Sequence, residues 1–506
     1  MNHSEHEVPD LAHGRITAGA PMPAGAPTPP RAPTPATERM PSLPFVWWAV
    51  GLALVAGFGL GAALFLAFAF RLPVGAWWVG AARAHGHIQI YGWGGMFALG
   101  IGLYFLPRLR GAPPPSPGQV RLAAHLMGAG LLLRALCQPF TMPPTSGVAL
   151  DVARLGMPLS GALELAGAGL AVRMLVRAAR SGPPLRTRAG LLGVLPFALC
   201  FFGALLIGLA LNLVALLVPI GAALSGAAQS PLVPALGAAL DWSVVHLGLN
   251  GMLVAISAAI SARTFPLYLR LRVPPARELS LVAIVFVVGF VLRTAAPFID
   301  VLLPGMAPSL ALDPGSSSVS TPMRVLGAIS PLGALLEGAS FVLLALVLDV
   351  PLRRTRRDLA GRDKARRPED APSDGLIVSA YWWLVVAGLL LVWEGLRPFG
   401  LLPSFWWLPA PPPDAERHAL GTGLVTLLIL GMAPRLVPGF VGRPLHSARL
   451  VWATLWLGNG AAVLRVVPLF LPSSPQTSGL LGLAGVLGLA AVACLGWNLW
   501  RTTRST

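Results

Sequence analysis

One pattern occurs three times in this chain: a histidine, a glycine five residues later and a proline 20 residues after the histidine. The copies are HIQIYGWGGMFALGIGLYFLP at 87–107, HLGLNGMLVAISAAISARTFP at 246–266 and HALGTGLVTLLILGMAPRLVP at 418–438. The residues between are almost all apolar, and as a helix each copy is about 30 Å long, the thickness of a bilayer core. The pattern predicts three equivalent membrane-spanning helices with an imidazole at the same end.

The composition places these helices in a larger membrane bundle. Hydrophobic residues make up 55% of the 506, charged residues 11%, and the mean hydropathy is +0.71, which excludes a soluble globular domain. Residues 1–42 lack an apolar run and are rich in Pro, Ala and Gly, which predicts a disordered tail. About twelve spans are predicted, at roughly 45–70, 85–107, 120–138, 155–177, 189–218, 238–262, 278–298, 325–349, 376–397, 418–438, 448–470 and 478–500.

The basic residues predict the orientation of the bundle. With a cytoplasmic N-terminus, 28 of the 37 Lys and Arg fall on the inner side and six on the outer side. This positive-inside bias predicts that both termini lie in the cytoplasm. Residues 351–375 form a charged cytoplasmic loop, which is more typical of a topology signal or a contact with anionic lipid than of a nucleic-acid site. The predicted partner is the lipid bilayer, not nucleic acid.

The spans fall into three repeats of four helices. The histidine helices are the second, sixth and tenth, and the next helix of each group carries an arginine a few residues before a proline and a phenylalanine. These arginines are Arg134, Arg293 and Arg465. The predicted fold class is an all-α polytopic membrane protein with repeats at 43–180, 189–350 and 376–501.

The repeated histidines and arginines are predicted to share the outer layer of the bundle. Neutral imidazole is a good ligand of iron and copper, and two facing histidines can hold a haem iron axially. Guanidinium groups pair with carboxylates such as haem propionates. The alternatives are that the histidines are hydrated interfacial side chains, and that the arginines reach lipid headgroups or pair with Glu394.

Two further features bear on this site. The first copy has His85 as well as His87. Residues two positions apart on a helix point about 200° away from each other, so these side chains can serve two sites on opposite sides of the helix. Glu164 and Glu337 lie in the fourth helix of their repeats. As ionisable residues in a membrane, they either bond a neighbouring helix in the protonated form or form a proton path.

Twelve helices in three groups of four, with histidines on helices two, six and ten, resemble subunit I of the haem–copper oxidases. In that family a pair of adjacent histidines on helix seven helps to bind copper, and this chain has no such pair there. The helix-six tyrosine four residues after the histidine is replaced by Asn250. An oxygen-reducing centre of the usual kind is therefore not expected.

The segment HALGTGLVTLLILGMAPRLVPGFVGRPL resembles the late helix of the NnrS family. His418, Gly423, Arg435, Gly442 and Arg443 match its motif, and the His-x-His of the first copy and ARTFP at 262–266 are also similar to that family. The resemblance implies a bacterial inner-membrane protein that carries haem and copper and takes part in nitric oxide metabolism or resistance to nitrosative stress.

The sequence therefore predicts an NnrS-like membrane protein with a haem, and also copper, in the outer half of the bundle, meeting nitric oxide or another small apolar ligand there. His87 and His418 are the predicted axial ligands, and His246 or His85 takes a second metal position. Whether the protein is an enzyme is left open. The alternatives are a proton-coupled secondary transporter and a non-catalytic membrane assembly subunit, although transporters of this length more often repeat as two halves.

Overall fold

The computed structural model describes residues 39–183, 193–302, 321–352, 367–400 and 412–504. They form twelve helices long and apolar enough to cross a membrane, and no strand among them interrupts the bundle. The helices are α1 (Leu43–Ala69), α2 (Trp77–Arg110), α3 (Pro117–Thr141), α4 (Gly147–Ser181), α5 (Leu195–Leu224), α6 (Leu232–Tyr268), α7 (Ala276–Leu302), α8 (Gly327–Val347), α9 (Asp370–Phe399), α10 (Pro413–Val441), α11 (Ala448–Phe470) and α12 (Pro475–Arg504). The predicted all-α polytopic fold is confirmed.

The three histidine helices form the centre of the bundle. In their most apolar stretches, 72% of α2, 83% of α6 and 78% of α10 is buried, against 33–50% for the nine other helices. The outer helices carry the apolar residues that face outward, as expected where the surrounding solvent is lipid. The repeated pattern therefore marks the helices that hold the fold together.

The outer helices pack in a ring with threefold character. The last two helices of each repeat pack together (α3 with α4, α7 with α8, α11 with α12), and the fourth helix of each repeat packs against the first of the next. The ring closes where α12 packs against α1. Small residues permit these contacts: a Cβ on Gly338 would lie 2.5 Å from the carbonyl oxygen of Gly388, and one on Gly485 would lie 2.6 Å from Cα of Ala62.

Each histidine helix changes its winding directly after the repeat histidine. The α-helical turns end at the histidine and are followed by π-helical segments at Ile88–Met96, Leu247–Val254 and Ala419–Thr426. These three segments contact one another at the centre of the bundle. A π-helix is uncommon and is often found at functional sites, so its occurrence at the same place in each repeat strengthens the internal symmetry.

The predicted tail 1–42 and the predicted charged loop 351–375 lie only partly within the described residues. The predicted tail 1–42 is described from Arg39 onward, where Met40 is fully buried and the Arg39 guanidinium donates to the carbonyl oxygen of Val441 at 3.1 Å. Most of the predicted charged loop 351–375 lies outside the described residues, and from Asp370 onward it is already part of α9. We call the end of the bundle at which α2, α6 and α10 begin the histidine end.

Candidate functional site

Three polar compartments lie between helices at the histidine end. Each is built by the histidine helix of one repeat, the two helices that follow it, the first helix of the next repeat and the start of the next histidine helix. The first compartment lies within α2–α6, the second within α6–α10, and the third within α10–α12 together with α1 and α2. The predicted histidines and arginines are thus divided among three sites.

The first compartment is filled by its own hydrogen-bonded side chains. His87 Nε2 lies 2.6 Å from a carboxylate oxygen of Glu164. The Arg134 guanidinium donates to Oε1 of Gln138 at 2.9 Å and to Oδ1 of Asn212 at 2.6 Å. All five side chains are buried. These bonds satisfy most of the cluster, but Oε1 of Glu164 and Nδ2 of Asn212 have no hydrogen-bond partner among the described residues.

The second compartment centres on one guanidinium and three carboxylates. Arg293 lies 3.4 Å from Glu337, 3.0 Å from Glu394 and 3.5 Å from Glu416, measured from nitrogen to oxygen. The pairing with Glu394 that the sequence offered as an alternative is therefore present, and two further glutamates share the same arginine. Removal of this arginine would leave several buried carboxylates without a counter-ion.

His246 and Asn250 complete the second compartment. The Asn250 amide donates to Glu337 at 3.0 Å and to Glu416 at 3.3 Å, which joins two carboxylates. His246 is stacked between the rings of Trp242 and Phe290, with centroids at 4.7 and 5.3 Å. Its Nε2 points toward Glu337, 3.7 Å from Oε1, and has no hydrogen-bond partner among the described residues.

The third compartment contains a cavity of about 430 Å³. The imidazoles of His85, from α2, and His418, from α10, both line it. His85 Nδ1 lies 2.9 Å from the carbonyl oxygen of Gly57, and His418 Nδ1 lies 2.8 Å from that of Asp414. A carbonyl only accepts, so each Nδ1 carries the proton and each Nε2 is left with a free lone pair. This fixed tautomer is the one in which histidine ligates a metal through Nε2.

Arg465 is the arginine of the third compartment, and its surroundings differ from those of the other two. It lies over the Phe65 ring of α1, 4.4 Å from the centroid. The outer helices at the matching places in the first two compartments supply Asn212 and Glu394, both hydrogen-bonded to their arginine. Nη1 of Arg465 is buried with no hydrogen-bond partner in the described part of the chain. The third compartment therefore presents an unsatisfied cationic donor.

Small side chains leave the third compartment open. In the first two compartments the fourth helix of the repeat supplies Glu164 and Glu337, whereas α12 lines the cavity with Leu481, Ala484 and Gly485. Gly61 has the same effect on α1, because a Cβ there would lie 2.6 Å from Cε1 of His85. The space that a glutamate carboxylate fills in the first and second compartments is thus part of the cavity in the third.

The residue two positions before each repeat histidine belongs to the preceding compartment. His85 enters the third compartment, Glu416 the second, and the carbonyl of Val244 accepts a hydrogen bond from Tyr91 at 2.9 Å beside the first. His85 and His87 have different partners, the Gly57 carbonyl and the Glu164 carboxylate, but both border the same cavity. The sequence did not identify Glu416 or Asn212 as site residues. A signal for Glu416 was present, because it lies two residues before His418, just as His85 lies two residues before His87.

The structure brings His85, His418 and Arg465 together and separates them from the other predicted site residues. His87 and Arg134 border the same cavity, but both are hydrogen-bonded within the first compartment. His246 and Arg293 lie in the second compartment. Among the described residues, no group of three or more His, Cys, Asp and Glu side chains is arranged to hold a metal ion. The predicted copper position stays a prediction.

Comparison with known proteins adds one match. Residues 317–498, which include α8 to α11 and most of α12, match the family model described as a domain of unknown function (DUF8744). No curated protein matches the chain.

Proposed function

We propose that this protein is a haem-binding protein of the bacterial inner membrane, in which His85 and His418 would hold a haem iron in the third compartment. The observation that carries the proposal is the pair of imidazoles in one cavity, each tied through Nδ1 to a backbone carbonyl. The pairing differs from the one expected from the sequence, because His87 is bonded to Glu164 instead.

The donor set fits a haem. Two histidine nitrogens with free lone pairs would suit ligation of a haem iron, and both imidazoles are neutral, so their burial carries no charge penalty. The buried Nη1 of Arg465 suits a propionate, since guanidinium binds carboxylates through strong charge-assisted hydrogen bonds. The cavity of about 430 Å³ is in the range of pockets for small molecules and cofactors, about 300–1,000 Å³.

The protein residues have defined tasks in this proposal. The Gly57 and Asp414 carbonyls orient the imidazoles, and the apolar side chains from α1, α6 and α12 limit the entry of water. A bound haem supplies one-electron redox chemistry. His85 on α2 and His418 on α10 would hold the haem iron from two different helices.

The link to nitric oxide rests on the resemblance to the NnrS family. The residues that carry it on α10 have structural tasks here: Gly442 ends the helix in a left-handed conformation with φ of 66°, and Arg443 donates to the carbonyl oxygen of Thr503 at 2.6 Å. Arg435 forms an ion pair with Asp374 of α9. A role in nitric oxide metabolism or nitrosative stress is therefore proposed from the family resemblance, with the haem as the group involved.

The haem proposal is tested by visible absorption spectra of the purified protein. We expect a Soret band in the wild type, and its loss or displacement in both His85→Ala and His418→Ala. The matched control is His246→Ala, a buried histidine of the second compartment, which should keep the wild-type band. Absence of a Soret band after expression with sufficient haem, or wild-type spectra for both His85→Ala and His418→Ala, would reject the assignment.

The physiological role requires a separate test. Deletion of the gene should sensitise the host bacterium to nitric oxide, and the wild-type chain should restore resistance while the double variant His85→Ala/His418→Ala should not. Full rescue by the double variant would show that protection does not need the haem site. A deletion with no effect under nitrosative stress would remove the nitric oxide role and leave the haem assignment to its own spectra.

A further inference from the structure

The second compartment contains more negative than positive groups. Three carboxylates, from Glu337, Glu394 and Glu416, lie within 3.5 Å of the single guanidinium of Arg293. With all three ionised and His246 neutral, the cluster carries an excess of two negative charges at the end of a bundle of membrane-spanning helices. Carboxylates that share one site cannot all ionise freely, because each raises the energy of the others' charge. Binding of a proton by one of these carboxylates would reduce this repulsion.

The position of Glu337 identifies where a proton is held. Its side chain is 0% exposed, whereas that of Glu416 is 10% and that of Glu394 is 47% exposed. Burial disfavours an ionised carboxylate most at the least hydrated position. Glu337 also has a proton acceptor beside it, since Oε1 lies 3.7 Å from Nε2 of His246, a buried nitrogen with no hydrogen-bond partner in the described residues.

We infer that the second compartment is a proton-binding site, in which one exchangeable proton is shared between Glu337 and His246. The proton comes from the aqueous phase at the histidine end, through Glu394, the most exposed carboxylate of the cluster. Uptake changes the pair from a carboxylate and a neutral imidazole to a carboxylic acid hydrogen-bonded to the imidazole, or to an imidazolium paired with the carboxylate. No electron or other co-reactant is needed.

The groups around this pair define its electrostatics. The charged and titratable side chains that act on it from neighbouring helices are Cys200 on α5, Arg293 on α7, Glu394 on α9, and Glu416 and Arg417 on α10. Asn250, on the same helix as His246, donates to Glu337 and holds its carboxylate in place. The first compartment differs, because His87 and Glu164 are already in contact at 2.6 Å and Arg134 bonds neutral amides there.

Infrared difference spectroscopy of the full chain in nanodiscs, between acidic and alkaline pH, tests this inference without requiring any cofactor. The wild type should show the carbonyl stretch of a protonated carboxylic acid that disappears as pH rises and shifts in D₂O. Glu337→Gln should lose this band, and Glu337→Asp should keep it at a shifted frequency. Glu164→Gln, the matching carboxyl of the first compartment, is the control and should retain the Glu337 band.

Two further variants test the partner and the route. His246→Phe keeps the aromatic stack but removes the acceptor, so the band should shift in frequency and in the pH at which it disappears. Glu394→Gln should slow its deuterium shift. Survival of the band in Glu337→Gln overturns the inference. So does a wild-type spectrum that lacks the carboxylic-acid band at every pH measured. Unchanged exchange in Glu394→Gln overturns the route. If Glu337→Gln does not fold, Glu337→Asp decides the matter, because a band that stays at the wild-type frequency in that variant overturns the inference.

Discussion

Glu416 and His418 lie two residues apart on α10, yet they belong to different polar sites. Glu416 pairs with Arg293 in the second compartment at 3.5 Å, while His418 lines the cavity of the third. The first turns of α10 therefore form the wall between a cluster of carboxylates and the proposed haem site.

Arg465 is expected to affect haem retention more than haem ligation. Arg465→Leu removes the unsatisfied donor of the third compartment but leaves His85 and His418 in place. The purified variant should contain several-fold less haem per protein with a Soret band at the wild-type position. The ratio of Soret to protein absorbance measures this. Arg443→Leu, which removes only a hydrogen bond to the Thr503 carbonyl, is the control and should retain wild-type haem; equal retention in the two variants would contradict a role for Arg465 in binding a propionate.

Gly61 is expected to be essential for the position of His85. A Cβ on Gly61 would lie 2.6 Å from Cε1 of the imidazole, so Gly61→Ala must displace the ring and lower haem binding. Gly51→Ala in the same helix meets nothing within 4 Å and should be neutral or stabilising, by about 0.5–1 kcal/mol for a helix interior. Spectra and thermal unfolding of the two variants measure the difference, and identical haem content would argue against His85 as a ligand.

Arg293 is expected to contribute strongly to stability. Arg293→Leu leaves buried Glu337 and Glu416 without their counter-ion, and breaking a buried ion pair in this way costs about 3–5 kcal/mol. Denaturant unfolding in detergent, followed by loss of helix, should show a large decrease in the free energy of unfolding. Arg397→Leu, at an exposed position on α9, should change it little. A similar small change in both variants would show that the carboxylates are not stabilised by Arg293.

The predicted topology can be tested with reporter fusions. Fusion after Ser373, near the start of α9, should report cytoplasm, and fusion after Ser474, between α11 and α12, should report periplasm. The physical reason is the excess of basic residues at the end of the bundle opposite the histidine end. The reverse result would invert the orientation and place the proposed haem site near the cytoplasm.

The histidine pattern predicted the three central helices. A polar residue that recurs at one end of long apolar stretches indicates both that these stretches cross the membrane and that they are copies of one repeat. The spacing of two also predicted that His85 and His87 point to different sites. It could not predict which neighbour each meets, because helical periodicity gives a direction relative to the helix and not the partner packed there. The π-helical segments were not predicted. Each contains one of the repeated glycines, Gly92, Gly251 and Gly423, but a glycine in an apolar helix does not distinguish π-helical from α-helical winding.

The carboxylates of the second compartment show the same limit. Glu337 and Glu394 were visible as ionisable residues within spans, but their convergence on Arg293 depends on how α7, α8 and α9 pack together. Glu416 lies at the beginning of α10, where a charged residue is ordinary in sequence. Only the packing of that helix turn against α9 and α11, within reach of Arg293, makes it a buried partner.

The closure of the ring between α12 and α1 has a consequence for biosynthesis. His85 emerges from the ribosome early, on the second helix, whereas His418 and Arg465 follow on the tenth and eleventh, and small residues of the twelfth complete the cavity. The third compartment therefore cannot exist on a nascent chain until nearly all of it has been inserted, whereas the first is complete once α6 has entered the membrane. If the proposed haem site is correct, loading of the cofactor would follow insertion of α10, and a chain that stalls earlier would have His85 without the His418 side of its cavity.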